Sequence, residues 1–186
     1  MTTTIVDIKV EVTEVTHERF ADEICEMIEA SAKQRGTGIA KRSVDYIRTK
    51  ISDGKAVIAF SGSEVAGFCY IETWEHGRYV VNSGLIVNPA FRGQGVAKKI
   101  KKRIFRLSRE LYPQASIFGI TTSAQVMRIN SELGYRPVTF SELTSDKAFW
   151  QGCGSCRNFD ILQRTDRKYC LCTGMVYRPE NDENKQ

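Results

Sequence analysis

The 186-residue sequence predicts one α+β domain. Three observations carry this reading. The length is that of a single domain. Stretches of two-residue apolar alternation interleave with stretches of helical apolar spacing. The composition, 41% hydrophobic and 26% charged, is that of an ordinary folded protein. A disordered chain would pair lower hydrophobicity with a larger net charge than the +5 found here. No apolar run approaches the roughly 18 residues of a membrane span.

The elements follow in order. Positions 5–12 (IVDIKVEV) alternate and read as a first strand. Phe20, Ile24, Met27 and Ile28 then recur at helical spacing, giving a helix that ends near Gly36. A second helix is expected over 41–52, with Val44, Ile47 and Ile51 on one face. Strands 56–60 and 65–74 flank Ser61-Gly62-Ser63-Glu64, a hairpin-length connection. Strand 79–87 stops at Asn88-Pro89, because proline cannot donate to a ladder. A helix from Val96 to about Leu111 carries the stripe Val96, Ile100, Ile104, Leu107 and Leu111. Strand 116–122, helix 123–133 closed by Gly134, and strand 135–140 follow, with 171–177 as a candidate last strand. The tail, 179–186, is polar.

The charge is concentrated. Residues 98–110 (KKIKKRIFRLSRE) hold seven basic side chains and one acid, leaving the rest of the chain near neutral. Such a segment is either a solvated helix face or an anion site. Its context is Arg92-Gly93-Gln94-Gly95-Val96-Ala97, between a strand and the basic helix. Two glycines let the backbone turn tightly, and the unpaired N–H groups of the next helical turn favour a pyrophosphate. The loop lacks the three glycines and following acid of a dinucleotide fingerprint, and no Gly-Lys-Ser/Thr closes it as in a nucleotide-triphosphate loop.

At these residues the sequence resembles the GNAT superfamily of acyl-CoA-dependent N-acyltransferases. The segment VNPAFRGQGVAKKI (87–100) is similar to that family's signature, its core falling on Arg92, Gly95 and Ala97, and the order of elements matches over about 5–140. The resemblance implies a mixed, mostly antiparallel twisted sheet flanked by helices. It implies acetyl-CoA, or another acyl-CoA, as co-substrate. Its pyrophosphate would meet Arg92, Gly93, Gln94, Gly95, Val96, Ala97 and Lys98. Its pantetheine arm would pair with the backbone of Leu85, Ile86 and Val87, beside a bulge near 83–85 whose N–H faces the thioester oxygen. Lys98–Lys102 are expected near the 3′-phosphate.

The catalytic groups depart from the family pattern. The usual tyrosine acid, four residues before a Gly-aromatic pair, falls on Asn130, and the frequent coenzyme-contacting asparagine falls on Ser123. Both are assigned to the coenzyme, with Asn130 also a catalytic candidate. For a base, Glu72 and His76 have the even spacing that puts both on one face of a continuing strand. Histidine titrates near neutral pH, whereas an exposed turn before Gly77 is the plainer reading of His76.

Residues 141–178 form a cysteine-rich extension beyond the common core, packed on the same domain. It holds Cys153, Cys156, Cys170 and Cys172. A C-x-x-C pair plus a second pair reads as a four-thiolate structural zinc site, with buried thiols or a redox pair as alternatives. The C-x-C spacing is short for zinc, although a strand at 170–172 would put both side chains on one face, which is compatible with chelation. SELTSDKAFWQGCGSCRNFDIL with CLCTGMVY resembles a bacterial GNAT subgroup linked to glutamate N-acylation. A carboxylated substrate needs a cation, for which Arg78, Arg128, Arg136 and Arg157 are available. The N-terminal residues lack a secretory pattern, so a cytoplasmic protein with reduced cysteines is expected.

The expectation is an N-acyltransferase for the primary amine of a small molecule, such as glutamate, acting through a ternary complex. The alternatives are a weakly catalytic acyl-CoA-binding module and an acetyltransferase for a protein amine. No nucleic acid and no membrane are expected as partners, and the protein is expected to be a monomer or homodimer.

Overall fold

The computed structural model describes residues 7–35, 42–156 and 158–179. Among them, seven strands form one sheet: β1 (Ile8–Val12), β2 (Ala56–Ser61), β3 (Glu64–Trp74), β4 (Tyr79–Val87), β5 (Ser116–Thr121), β6 (Arg136–Val138) and β7 (Thr173–Tyr177), in the order β1-β2-β3-β4-β5-β7-β6. All neighbours are antiparallel except β4 and β5. β3 is buried on both faces from Val65 to Glu72, as the continuous apolar run AGFCYI requires of a central strand.

One face carries α3 (Val96–Leu111) and α4 (Ala124–Glu132). Cys69, Ile71, Val80, Ile117, Met175 and Tyr177 pack there against Val96, Ile100, Ile104 and Leu107 of α3. Strand alternation sends Phe68 and Tyr70 to the opposite face, under α1 (Ala21–Arg35) and α2 (Val44–Ser52). Val81, Phe118 and Val176 share that second face, beneath Phe140, Leu143, Trp150 and Leu162. The last group comes from a 3-10 turn at Phe140–Glu142, α5 (Lys147–Gln151) and α6 (Phe159–Arg164).

Two irregularities shape the middle of the sheet. β3 and β4 shift register between Phe68↔Ile86 and Tyr70↔Ser83, so β4 bulges at Gly84–Leu85. Gly84 has φ +63°, and a Cβ there would lie 2.3 Å from the Tyr70 ring, so the position requires glycine. β4 and β5 then pair only from Tyr79↔Ser116 to Val81↔Phe118. Beyond Val81 the two strands separate.

The extension expected after residue 140 is part of the same sheet. β7 lies between β5 and β6, and its Met175 and Tyr177 enter the main core. The strand expected at 135–140 is shorter, and Leu111, expected on the buried stripe of α3, is exposed. Lys101 and Ser108 are buried instead. Among the described residues no helix is long and apolar enough to cross a membrane.

Candidate active site

The opening between β4 and β5 leads into a cavity of about 590 Å³. That volume suits a small-molecule site. Residues from both faces of the sheet line it. Asn82, Lys101, Gly119, Ser123 and Asn130 come from the α3/α4 face. Arg42, Tyr46, Tyr70, Glu72, Trp74 and Ser83 come from the α1/α2 face. An aromatic wall of Phe140, Phe149, Trp150 and Phe159 closes the second side.

Glu72 is the carboxylate at the centre of the α1/α2 side, and it is only 7% exposed. The register sets Tyr70 opposite Ser83 and Glu72 opposite Val81, which brings Ser83 diagonally beside Glu72 on one face. Ser83 Oγ donates to Glu72 Oε2 at 2.6 Å, and Tyr46 Oη donates to Oε1 at 2.5 Å. Arg42 Nη2 approaches Oε1 at 3.4 Å. Burial, then the adjacent Glu72 carboxylate, raises the pKa of the Tyr46 phenol, so it stays a donor.

His76 does not join Glu72. β3 ends at Trp74, and the chain turns with Glu75 and His76 both at positive φ. The two-residue alternation therefore stops before His76, which is exposed and does not line the cavity. Glu75 anchors the turn instead, accepting from Thr144 Oγ1 at 2.6 Å and Ser145 N at 2.9 Å. Those hydrogen bonds lower its pKa.

On the other face, Asn130 is 1% exposed, and among the described residues its Oδ1 has no hydrogen-bond partner. Trp74 Nε1 is likewise buried and unpartnered. One acceptor and one donor, both on cavity-lining side chains, are thus without a partner among the described residues. Ser123 caps α4, accepting from Val126 N at 3.3 Å. Leu85 lines the cavity, Ile86 packs into the core under α1 and α2, and Val87 ends β4. The edge of Asn82–Val87 that faces β5 has no strand pairing there.

The glycine loop lies outside this cavity, at the surface. Arg92, Gly93, Gln94, Gly95 and Lys98 are exposed, Ala97 is half-buried, and Val96 is buried as the first anchor of α3. Gly93 and Gly95 have φ +78° and +77°, and α3 starts without a side-chain cap. Its first-turn N–H groups are therefore available to an anion. The lysines behind the loop do not act together: Lys98 pairs with Glu132 at 2.6 Å, Lys99 Nζ donates to Ile8 O at 3.3 Å, and Lys101 points inward.

The expected zinc site is not formed. Among the described residues no group of three or more His, Cys, Asp or Glu side chains stands where it could hold a metal ion. β7 begins only at Thr173, so Cys170 and Cys172 precede the strand that would have given them a shared face. All four cysteines line the cavity instead. Burial, reinforced by neighbouring thiols, pushes Cys153 up to about 11 and Cys172 up to about 12. None of Arg78, Arg128 and Arg136 lines the cavity, and Arg157 lies outside the described residues.

Residues 44–125 match the model of the acetyltransferase (GNAT) family. That segment, under half of the chain, is similar to a GNAT acetyltransferase domain. Among solved structures, this GNAT fold is similar to N-acetylglutamate synthase from Neisseria gonorrhoeae complexed with coenzyme A and N-acetyl-glutamate, with a TM-score of 0.66 and 16% identity. That likeness covers 92% of this chain but only 35% of the synthase. The Rv2747 protein of Mycobacterium tuberculosis, in complex with CoA, aligns with a TM-score of 0.64 and 15% identity, over 91% of this chain and 98% of that one. The yncA protein of Salmonella typhimurium, with its cofactor acetyl-CoA, aligns with a TM-score of 0.64 and 12% identity, over 93% and 94%. A search of curated proteins returns no significant match.

Arg42, Tyr46, Trp74 and Asn82 line the cavity without having been singled out in the sequence as site residues, and Lys101, expected near the 3′-phosphate, lines it too. Lys101 shares its helix face with Ile104 and Ser108, a spacing that was readable within the basic run. Arg42 carries no such local signal.

Proposed function

We propose that this protein transfers an acetyl group, or another acyl group, from acyl-CoA to the primary amine of a small molecule. The observation that carries this reading is the two-sided cavity. One side opens toward α3 and α4, whose loop and first turn suit a pyrophosphate. The other presents the buried carboxylate of Glu72. Pantetheine would enter the gap beside Leu85–Val87 as an added strand, with Asn130 Oδ1 and Ser123 beside it. Glu72, held by Ser83 and Tyr46, takes the proton from the attacking amine. A backbone N–H at the Gly84–Leu85 bulge polarises the thioester carbonyl.

An amino acid such as glutamate is the first acceptor to test. The likeness to N-acetylglutamate synthase supports it, and Arg42 supplies a cation at the acceptor side. The aromatic wall favours an acceptor or acyl group with an apolar part as well. The experiment is release of the coenzyme A thiol from acetyl-CoA and succinyl-CoA across a panel of amino acids and amines, with the product identified by mass. Acylated amine stoichiometric with released thiol is expected. Tight coenzyme binding without acylation of any amine, peptide amines included, would leave a binding module and overturn the reading.

A further inference from the structure

Lys101 has no role in the account so far, although it is the charged side chain buried deepest at the site. It is 2% exposed, lines the cavity and forms no ion pair among the described residues. Its Nζ lies 3.5 Å from Asn82 Oδ1 and 5.2 Å from the centre of the Tyr135 ring. Asn82 is fixed in turn: its Oδ1 also accepts from Tyr135 Oη at 3.1 Å, and its Nδ2 donates to Ser108 Oγ at 2.9 Å. An ammonium has three donors, and this one uses a single hydrogen bond within the described protein. Burying a charge so sparsely paired is costly, and an apolar side chain would pack the same space without that cost.

The location fits a leaving group. Asn82 is the first β4 residue past Val81, where pairing with β5 stops. Lys101 therefore sits beneath the apex of the opening, on the face from which the coenzyme arm would enter. Glu72 sits on the opposite face. The two cavity-lining phenols Tyr46 and Tyr70 are engaged: Tyr46 donates to Glu72, and Tyr70 is hydrogen-bonded with Arg42. Asn130, in the position of the family's tyrosine acid, has no proton to give.

We propose that Lys101 is the group that protonates the departing coenzyme A thiolate. This rests on the acyltransferase reading above. The amine nitrogen attacks the acyl carbon, a C–N bond forms and the C–S bond breaks. The amine's proton goes to the Glu72 carboxylate, and a proton of the Lys101 ammonium goes to the sulfur. Lys101 is left as a neutral amine and Glu72 as an acid until solvent exchange restores both. Burial lowers the Lys101 pKa below the ordinary lysine value, which makes it the stronger donor. The titratable groups facing it are Cys69, pushed up to about 11 by burial, and Tyr135, raised well above its ordinary value. Both stay neutral where Lys101 is charged.

The test compares two acetyl donors in the full chain. Coenzyme A departs as a basic thiolate that gains from a proton donor, whereas 4-nitrophenyl acetate expels a much less basic anion that gains little from one. Lys101→Met should lower kcat with acetyl-CoA by about 100-fold or more while leaving its KM and the rate with 4-nitrophenyl acetate unchanged. Lys101→Arg should fail to rescue, because guanidinium does not release its proton. The wild-type kcat should also fall as pH approaches the ordinary lysine value, a limb that needs no variant and so survives a variant that fails to fold. Equal losses on both donors, rescue by arginine, or a wild-type profile without that limb overturn the role of Lys101. Wild-type protein that binds acetyl-CoA and acylates no amine overturns the acyltransferase reading itself, and the Lys101 role with it.

Discussion

The two sides of the cavity are built in different ways. The side we propose for the coenzyme is local in sequence: Leu85 to Lys101 supply strand edge, glycine loop, helix start and buried lysine within one β-loop-α unit. The side we propose for the acceptor is assembled from afar. Arg42 and Tyr46 come from before and within α2, Glu72 and Trp74 from β3, Ser83 from β4, and the aromatic and thiol wall from residues 140–172. A contiguous unit can be recognised from its own residues and reused with many acceptors. An assembled wall can be changed one segment at a time, which places specificity there.

Substitutions on each side should separate these roles. The largest effect is expected from Glu72→Gln, which keeps the shape but removes the proton acceptor. Its kcat should fall by about 10²- to 10⁴-fold, while calorimetric titration finds acetyl-CoA binding unchanged. Gly95→Ala should act on the opposite side. A Cβ there meets nothing within 4 Å, so the cost is the backbone conformation at φ +77° alone. About 1–2 kcal/mol of strain predicts a KM for acetyl-CoA raised roughly tenfold with little change in kcat. A smaller effect concerns stability. The folded-state pKa of Lys101 is lowered, so at neutral pH the protein carries the full cost of a buried charge. That cost fades as pH rises from the folded value toward the unfolded value of 10.5. In chemical denaturation Lys101→Met should be more stable than wild type at neutral pH, by on the order of 1 kcal/mol, and the gap should close in alkali. The smallest expected effect is none: a chelator should leave Tm unchanged, because among the described residues the thiols are not grouped as a metal site.

This asymmetry also sets what could be read from the sequence. The strand order through β5 and the loop at 92–98 rest on local patterns, namely alternation, glycine spacing and helical periodicity, and the bulge at 83–85 followed only from the family resemblance that the loop carries. Glu72 was legible as the carboxylate nearest β4, but its partners were not, since Tyr46 reaches it across 26 positions. The evenly spaced pair Glu72 and His76 misled because alternation holds only while the strand continues, and β3 stops between them. Likewise the four cysteines read as a metal site from spacing alone, yet their segment folds around Trp150 and Leu162, with β7 inserted between β5 and β6. Lys101 hid within a run of solvent-facing basic residues.

The central claim is that acyl donor and amine meet inside one opening and the acyl group passes between them directly. Initial rates measured while acetyl-CoA and the amine are varied together test it most directly. Intersecting double-reciprocal lines, with no acetyl adduct on protein incubated with acetyl-CoA alone, are expected. Parallel lines accompanied by an acetylated cysteine or lysine would contradict it.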